Sequence, residues 1–131
     1  MTIRRLLTSA AFVALTAGGA AAQVIGFSQI GSESGWRAAE TSLTRQQAEE
    51  RGYDLRFSDA QQRQENQIAA LRSFIAQGVD AILLAPVVAT GWDSVLAEAQ
   101  EAEIPVVLLD RLVDSPPDMY LTAVGSDLVH E

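Results

Sequence analysis

From Val24 onwards, short runs of apolar residues alternate with stretches in which apolar positions recur every three or four residues. The runs predict strands and the recurring positions predict helices. "VIGFSQI" is the first run, and it leads into the glycine–serine stretch "GSESG". Ser34 is placed to cap a helix over residues 35–51, with Trp36, Ala39, Leu43 and Gln47 on one face. Gly52 supplies the left-handed residue on which helices commonly stop. "YDLRFSD" then alternates apolar and polar positions, which predicts a strand with one better-covered face.

The glutamine-rich stretch "AQQRQENQ" looks low in complexity by itself, but Ile68, Leu71, Phe74 and Ile75 follow at helical spacing. The glutamines therefore read as a loop and first turn, in a helix that Gly78 ends. "VDAILLAP" and "IPVVLLD" are nearly unbroken apolar runs, as expected of parallel strands covered on both faces. Pro105 stands at the start of the second, where no ladder bond is lost. Between them "TGWD" resembles a capping box, Thr90 with Asp93, opening a helix whose inner stripe is Trp92, Val95, Leu96 and Ala99. The turn-rich "VDSPPD" precedes a last strand, "MYLTAV", and "GSDLVHE" begins a further helix.

Strands and helices in strict alternation predict an α/β fold, an open parallel sheet with helices on both faces. Ligands of such sheets bind at the carboxyl ends of the strands. In this chain those ends are residues 28–36, 58–62, 85–92 and 110–111.

The N-terminus adds a compartment. Arg4 and Arg5 precede an apolar run over residues 6–15, and small residues end at Ala20-Ala21-Ala22. This is the layout of a secretory signal peptide over residues 1–22, cleaved before Gln23. The apolar run falls well short of the ~20 residues of a spanning helix. The formal charge is -8, carried against nine arginines and no lysine, and loss of Arg4 and Arg5 takes it to -10. A chain this acidic is a poor partner for nucleic acid or an anionic membrane. Cysteine is absent, which excludes disulfides and thiolate metal sites. The reading is an exported, acidic, soluble protein with no cofactor.

The loop "SQIGSESGWR" first suggests phosphate. Its glycines, Gly31 and Gly35, do not form G-x-G-x-x-G, and a P-loop needs a lysine that the chain lacks. A flavodoxin-like hydroxyl loop is nearer, but Glu33 would repel phosphate at a helix N-terminus. A neutral polyhydroxyl ligand suits the residues better: an aromatic ring for its C–H face, carboxylates to accept from hydroxyls, guanidinium groups to donate to them. Trp36, Ser32, Glu33, Arg37, Asp110 and Arg111 supply these from two adjacent loops. Each also has a plainer reading: Trp36 as packing, Asp110 as a turn residue with Arg111 as its ion pair, Glu33 as a charge favoured near a helix N-terminus, Arg37 as an exposed side chain. Trp92, on its helical stripe, reads as core. His130, the sole histidine, has no neighbours for metal or catalysis.

"GFSQIGSESGWRAAET", "QENQIAALRSFIAQGVDAILLAPVVATGW" and "EIPVVLLDR" resemble the ribose- and galactose-type periplasmic binding proteins of bacterial sugar ABC transporters. The resemblance runs over the whole chain after residue 23. It implies a periplasmic receptor that is not an enzyme, that takes a monosaccharide such as galactofuranose or galactose between two lobes, and that delivers it to a membrane permease. By the same resemblance Asp110-Arg111 holds vicinal hydroxyls, Trp36 covers the sugar, and Ser32, Glu33 and Arg37 are polar neighbours. The glutamine cluster over residues 61–67 matches the family pattern without a ligand role.

Residues 23–131 are accordingly expected to form an N-terminal lobe that ends before its last strand. Such a lobe alone holds half of the sugar's hydrogen bonds and cannot close over it by hinge motion. Alternatives sharing this fold are an exported flavodoxin-like or carbohydrate-active enzyme, a sugar-responsive regulator, and a sugar receptor for chemotaxis or a sensor kinase. The leader and the lack of an upstream helix-turn-helix weigh against the regulator.

Overall fold

The computed structural model describes residues 21–125. The leader over residues 1–20, the helix expected after Gly125 and His130 lie outside the described residues. The elements run β1 (Val24–Gln29), α1 (Gly35–Glu50), β2 (Asp54–Asp59), α2 (Gln64–Gln77), β3 (Ala81–Leu84), α3 (Asp93–Glu101), β4 (Val106–Leu109) and β5 (Thr122–Val124). All five strands are parallel, in the order β2-β1-β3-β4-β5. This is the alternating α/β architecture read from the pattern. The chain leaves β1 toward one edge and returns to β3 on its other side, so a switch point lies between them.

Helix boundaries follow local chemistry. Ser34 is extended and its hydroxyl accepts the Arg37 N–H at 3.2 Å, as an N-cap should. Gly52 follows the helix at φ 72°, and Gly78 closes α2 in the left-handed region at φ 66°. Gln61 and Gln62 turn the chain at positive φ before Gln64 opens α2.

One sheet face carries the core. Leu71 and Phe74 of α2, and Val95, Leu96 and Ala99 of α3, bury Ile82, Leu84, Val106 and Leu108. Trp92 is fully buried among them, as its stripe position implied. Among the described residues the other face meets α1 alone. There Ile25, Leu55 and Leu83 line a cavity of about 300 Å³ with Leu43, Thr44 and Ala48. Among the described residues β3 and β4 therefore alternate buried and half-buried residues, with the fuller cover on the α2–α3 face.

The structure gives the α1 face its direction and corrects two further expectations. Trp36, Ala39, Leu43 and Gln47 are exposed, and α1 turns Arg37, Glu40, Thr41, Thr44 and Ala48 inward instead. The physical reason is buried Gln29, whose amide reaches Glu40 at 2.8 Å and Thr41 at 3.3 Å and makes the inner stripe polar. Thr90 does not cap α3, which starts at Asp93 with no side-chain cap bond. The Thr90 carbonyl is taken by Gln64, and Asp93 accepts the Ser115 hydroxyl at 2.5 Å. Finally, Met119 lies in a 3₁₀ turn, Pro117–Met119, which shortens the last strand.

Candidate functional site

The first group of candidate residues follows β1. Ile30 is buried and Gly31 lies beneath the Glu33 carboxylate, so closely that a Cβ there would clash with both carboxylate oxygens. Ser32 and Glu33 then face solvent. Glu33 accepts from Arg37 Nη1 at 3.3 Å, an i,i+4 pair with the acid on the N-terminal side, the favourable order. The Arg37 side chain is half-buried by this contact rather than free. Trp36 is 63% exposed in the first turn of α1, although it is the largest apolar side chain of that helix. Beneath this turn the Gln29 amide accepts the Ile30 N–H and donates to Glu40.

The second group follows β4. Asp110 has φ 67°, and the Arg111 N–H reaches back to the Leu109 carbonyl at 2.7 Å. Together these define a γ-turn centred on a non-glycine residue in the left-handed region, a rare and strained arrangement. Two contacts hold it: the Asp110 N–H donates to Val124 at 2.8 Å, and Gly125 packs on the Asp110 carbonyl, where a Cβ would come within 2.9 Å. The turn throws both side chains outward. Arg111 Nε lies 3.8 Å from Asp110 Oδ2, and Arg111 Nη1 donates to the Val87 carbonyl at 3.4 Å.

All six residues thus stand at the carboxyl edge of the sheet. The two loops are not adjacent, because β3 separates β1 from β4. That places them roughly two strand spacings, about 10 Å, apart. Trp36 and Leu109, the residue before Asp110, line one cavity of about 280 Å³ together with Ala39 and Leu43. Among the described residues no hydrogen bond or ion pair joins the two groups. What the edge offers is an exposed indole and two guanidinium–carboxylate pairs with unused donors and acceptors. Such groups can pair with hydroxyls and cover a C–H face. No cluster of three or more metal-ligating side chains occurs among the described residues.

Three polar residues at the same edge escaped the reading of the pattern. Ser28, Gln29 and Gln67 are buried. Ser28 Oγ is without a partner among the described residues. The available signal was polar residues inside or beside apolar runs, "FSQI" and "NQIAAL", which pattern reading treats as strand and helix ends.

Residues 25–128 match the sequence profile of the periplasmic binding protein domain. The chain is 56% identical over 130 residues to the galactofuranose-binding protein YtfQ of Escherichia coli (strain K12), covering 98% of this chain and 41% of that protein. It therefore spans about two fifths of the length of this curated relative. Among solved structures it is similar to a galactofuranose binding protein, with TM-score 0.79 and 61% identity over 80% of this chain and 36% of the other. It is also similar to the periplasmic binding protein of an arabinose ABC transporter from Shewanella sp. ANA-3, bound to α- and β-L-arabinofuranose. There the TM-score is 0.81 and the identity 56%, over 83% of this chain and 36% of the other.

Proposed function

The chain belongs to the periplasmic binding protein domain family, and from that membership we propose that it is the N-terminal lobe of an exported receptor for a furanose sugar. The receptor hands its sugar to the membrane permease of an ABC transporter. Residues 1–22 are its cleaved leader, and residues 23–131 contribute one wall of the sugar site. The family is one of binding proteins, not of enzymes.

The observation that carries this reading is the strained turn at Asp110-Arg111, facing the same sheet edge as an exposed Trp36. Strain of this kind persists where surrounding structure over-determines it, and it clusters at ligand sites. In the site so proposed, Asp110 accepts from one hydroxyl while Arg111 donates to its neighbour. Trp36 covers the sugar's C–H face, and Ser32, Glu33 and Arg37 bind at its rim. The galactofuranose and L-arabinofuranose named for the similar proteins set the ligand class.

Calorimetry tests the proposal on two proteins: the 131-residue chain, and the same chain joined to the second lobe of a two-lobed relative. Galactose and L-arabinose supply furanose and pyranose forms in equilibrium; methyl pyranosides supply the pyranose alone. Micromolar binding of the free sugars by the joined protein is expected, with weak or no binding by the chain alone and none of the pyranosides. Equal affinity of the joined protein after Trp36→Ala and Arg111→Ala would overturn the site.

A further inference from the structure

We infer that Gln67, with Gln64 beside it, is a positioning residue that sets Arg111 through the backbone of Val87, an inference that rests on the binding site proposed above. The loop between β3 and α3 keeps one ladder bond, Ala85 N–H to the Ser28 carbonyl at 3.0 Å, and then leaves the sheet. Its backbone polar groups must find partners elsewhere or lose stability unpaired. Gln67 is fully buried, and both ends of its amide serve that loop. Nε2 donates to the Ala85 carbonyl at 2.7 Å, and Oε1 accepts the Val87 N–H at 2.9 Å. One turn earlier Gln64 Nε2 donates to the Thr90 carbonyl at 2.6 Å, beside Gly91 at φ 84°. Trp92 closes the loop on itself, its indole N–H donating to the Val88 carbonyl at 2.8 Å.

The opposite flank of the loop meets the residues after β4. The Asp114 N–H donates to Ala89 at 2.8 Å, and Arg111 Nη1 to Val87 at 3.4 Å. Val87 is thus gripped by its N–H from α2 and offers its carbonyl to the guanidinium. No other side-chain-to-backbone hydrogen bond reaches Arg111 among the described residues. Its remaining polar contact is the 3.8 Å ion pair with Asp110. At 3.4 Å this bond is longer than the usual range of about 2.7–3.2 Å, so whether the guanidinium reaches the loop depends on where the loop holds Val87. A buried glutamine is unusual and costly to desolvate. A leucine would fill the same space without that cost, but it would leave the Val87 N–H and the Ala85 carbonyl free to move.

The test reads Arg111 directly in the ¹⁵N-labelled chain, without sugar. In Gln67→Leu, amide exchange at Val87 should accelerate at least tenfold while the strand amides of Phe27 and Ile82 keep their protection, and the Arg111 Nε–Hε resonance should move. Gln67→Glu supplies the rescue. Burial raises the pKa of the new carboxyl, and its neutral form can donate and accept as the amide does. The Arg111 resonance should therefore return to its wild-type position as pH falls, judged against wild type at each pH. If Gln67→Leu does not fold, Gln64→Ala removes only the Thr90 bond and should move the same resonance by a smaller amount. An Arg111 resonance unmoved in Gln64→Ala and in the ionised Gln67→Glu form would overturn the relay. In the joined two-lobed protein, Gln67→Glu above its pKa should weaken sugar binding at least fivefold. Failure of every form to bind sugar would refute the binding proposal instead, and leave the sugar-free result to judge the relay.

Discussion

The ring of Phe74 lies against Gly26 so closely that a Cβ added there would come within 2.5 Å of two ring carbons. Glycine at this point of β1 lets α2 approach the sheet, and Phe74 fills the space that a side chain would occupy. The contact is at the root of the ring, which cannot swing away without leaving the core. Gly26→Ala is therefore expected to destabilise the fold by about 1–3 kcal/mol, the usual cost of overpacking. Urea unfolding measures it, and a paired Phe74→Leu substitution should recover part of the loss.

At Asp110 the expected sign is the opposite. Its φ of 67° suits glycine rather than aspartate. Asp110→Gly should stabilise the lobe by about 1 kcal/mol, the low end of the strain range, while abolishing sugar binding in the two-lobed form. Thermal unfolding and calorimetry on the same preparation check both halves. A variant that loses stability would show that the turn is not strained.

The two tryptophans differ in exposure, 63% for Trp36 and none for Trp92. Acrylamide should quench one emitting component and spare a second. Trp36→Phe should remove the quenchable component with little change in stability. Trp92→Phe should lower stability markedly, because it empties core volume and leaves the Val88 carbonyl without its 2.8 Å donor.

Between α2 and α3, Arg72 meets Glu98 in a two-bond pair, 2.8 Å from Nη2 and 3.0 Å from Nε. The hydrogen bond from Arg72 is the main cause that holds the Glu98 carboxyl below the usual carboxylate range. A carboxyl whose pKa is lowered on folding stabilises the fold above its unfolded pKa. That contribution is lost as pH falls through the folded value. Because the pair is exposed, the effect is small and salt-screened. Glu98→Gln should leave a slightly flatter acid limb in a plot of melting temperature against pH, with the difference shrinking in 1 M salt.

Much of the fold was legible in the order of residues. The two glycine stops, the Ser34 cap, the strand ends and the core stripe of α3 all rest on interactions within a few positions, or on apolar spacing that one element displays by itself. So does the choice of Trp92 for the core. The inner face of α1 was not legible, because it is decided by a buried amide on another element. Gln29 calls polar residues inward, and an apolar-face rule picks the wrong stripe.

The same physics separates what the sequence by itself determined from what only the tertiary structure decided. Alternation of strand and helix, the acidic charge, and the residue types gathered at the strand ends were determined along the chain, since period, charge and short-range capping need no partner. The spacing of the two site loops across β3, the strained turn at Asp110, and the grip of Gln67 on Val87 were decided only by folding. Each depends on backbone groups far apart in sequence that must satisfy one another once they are buried together.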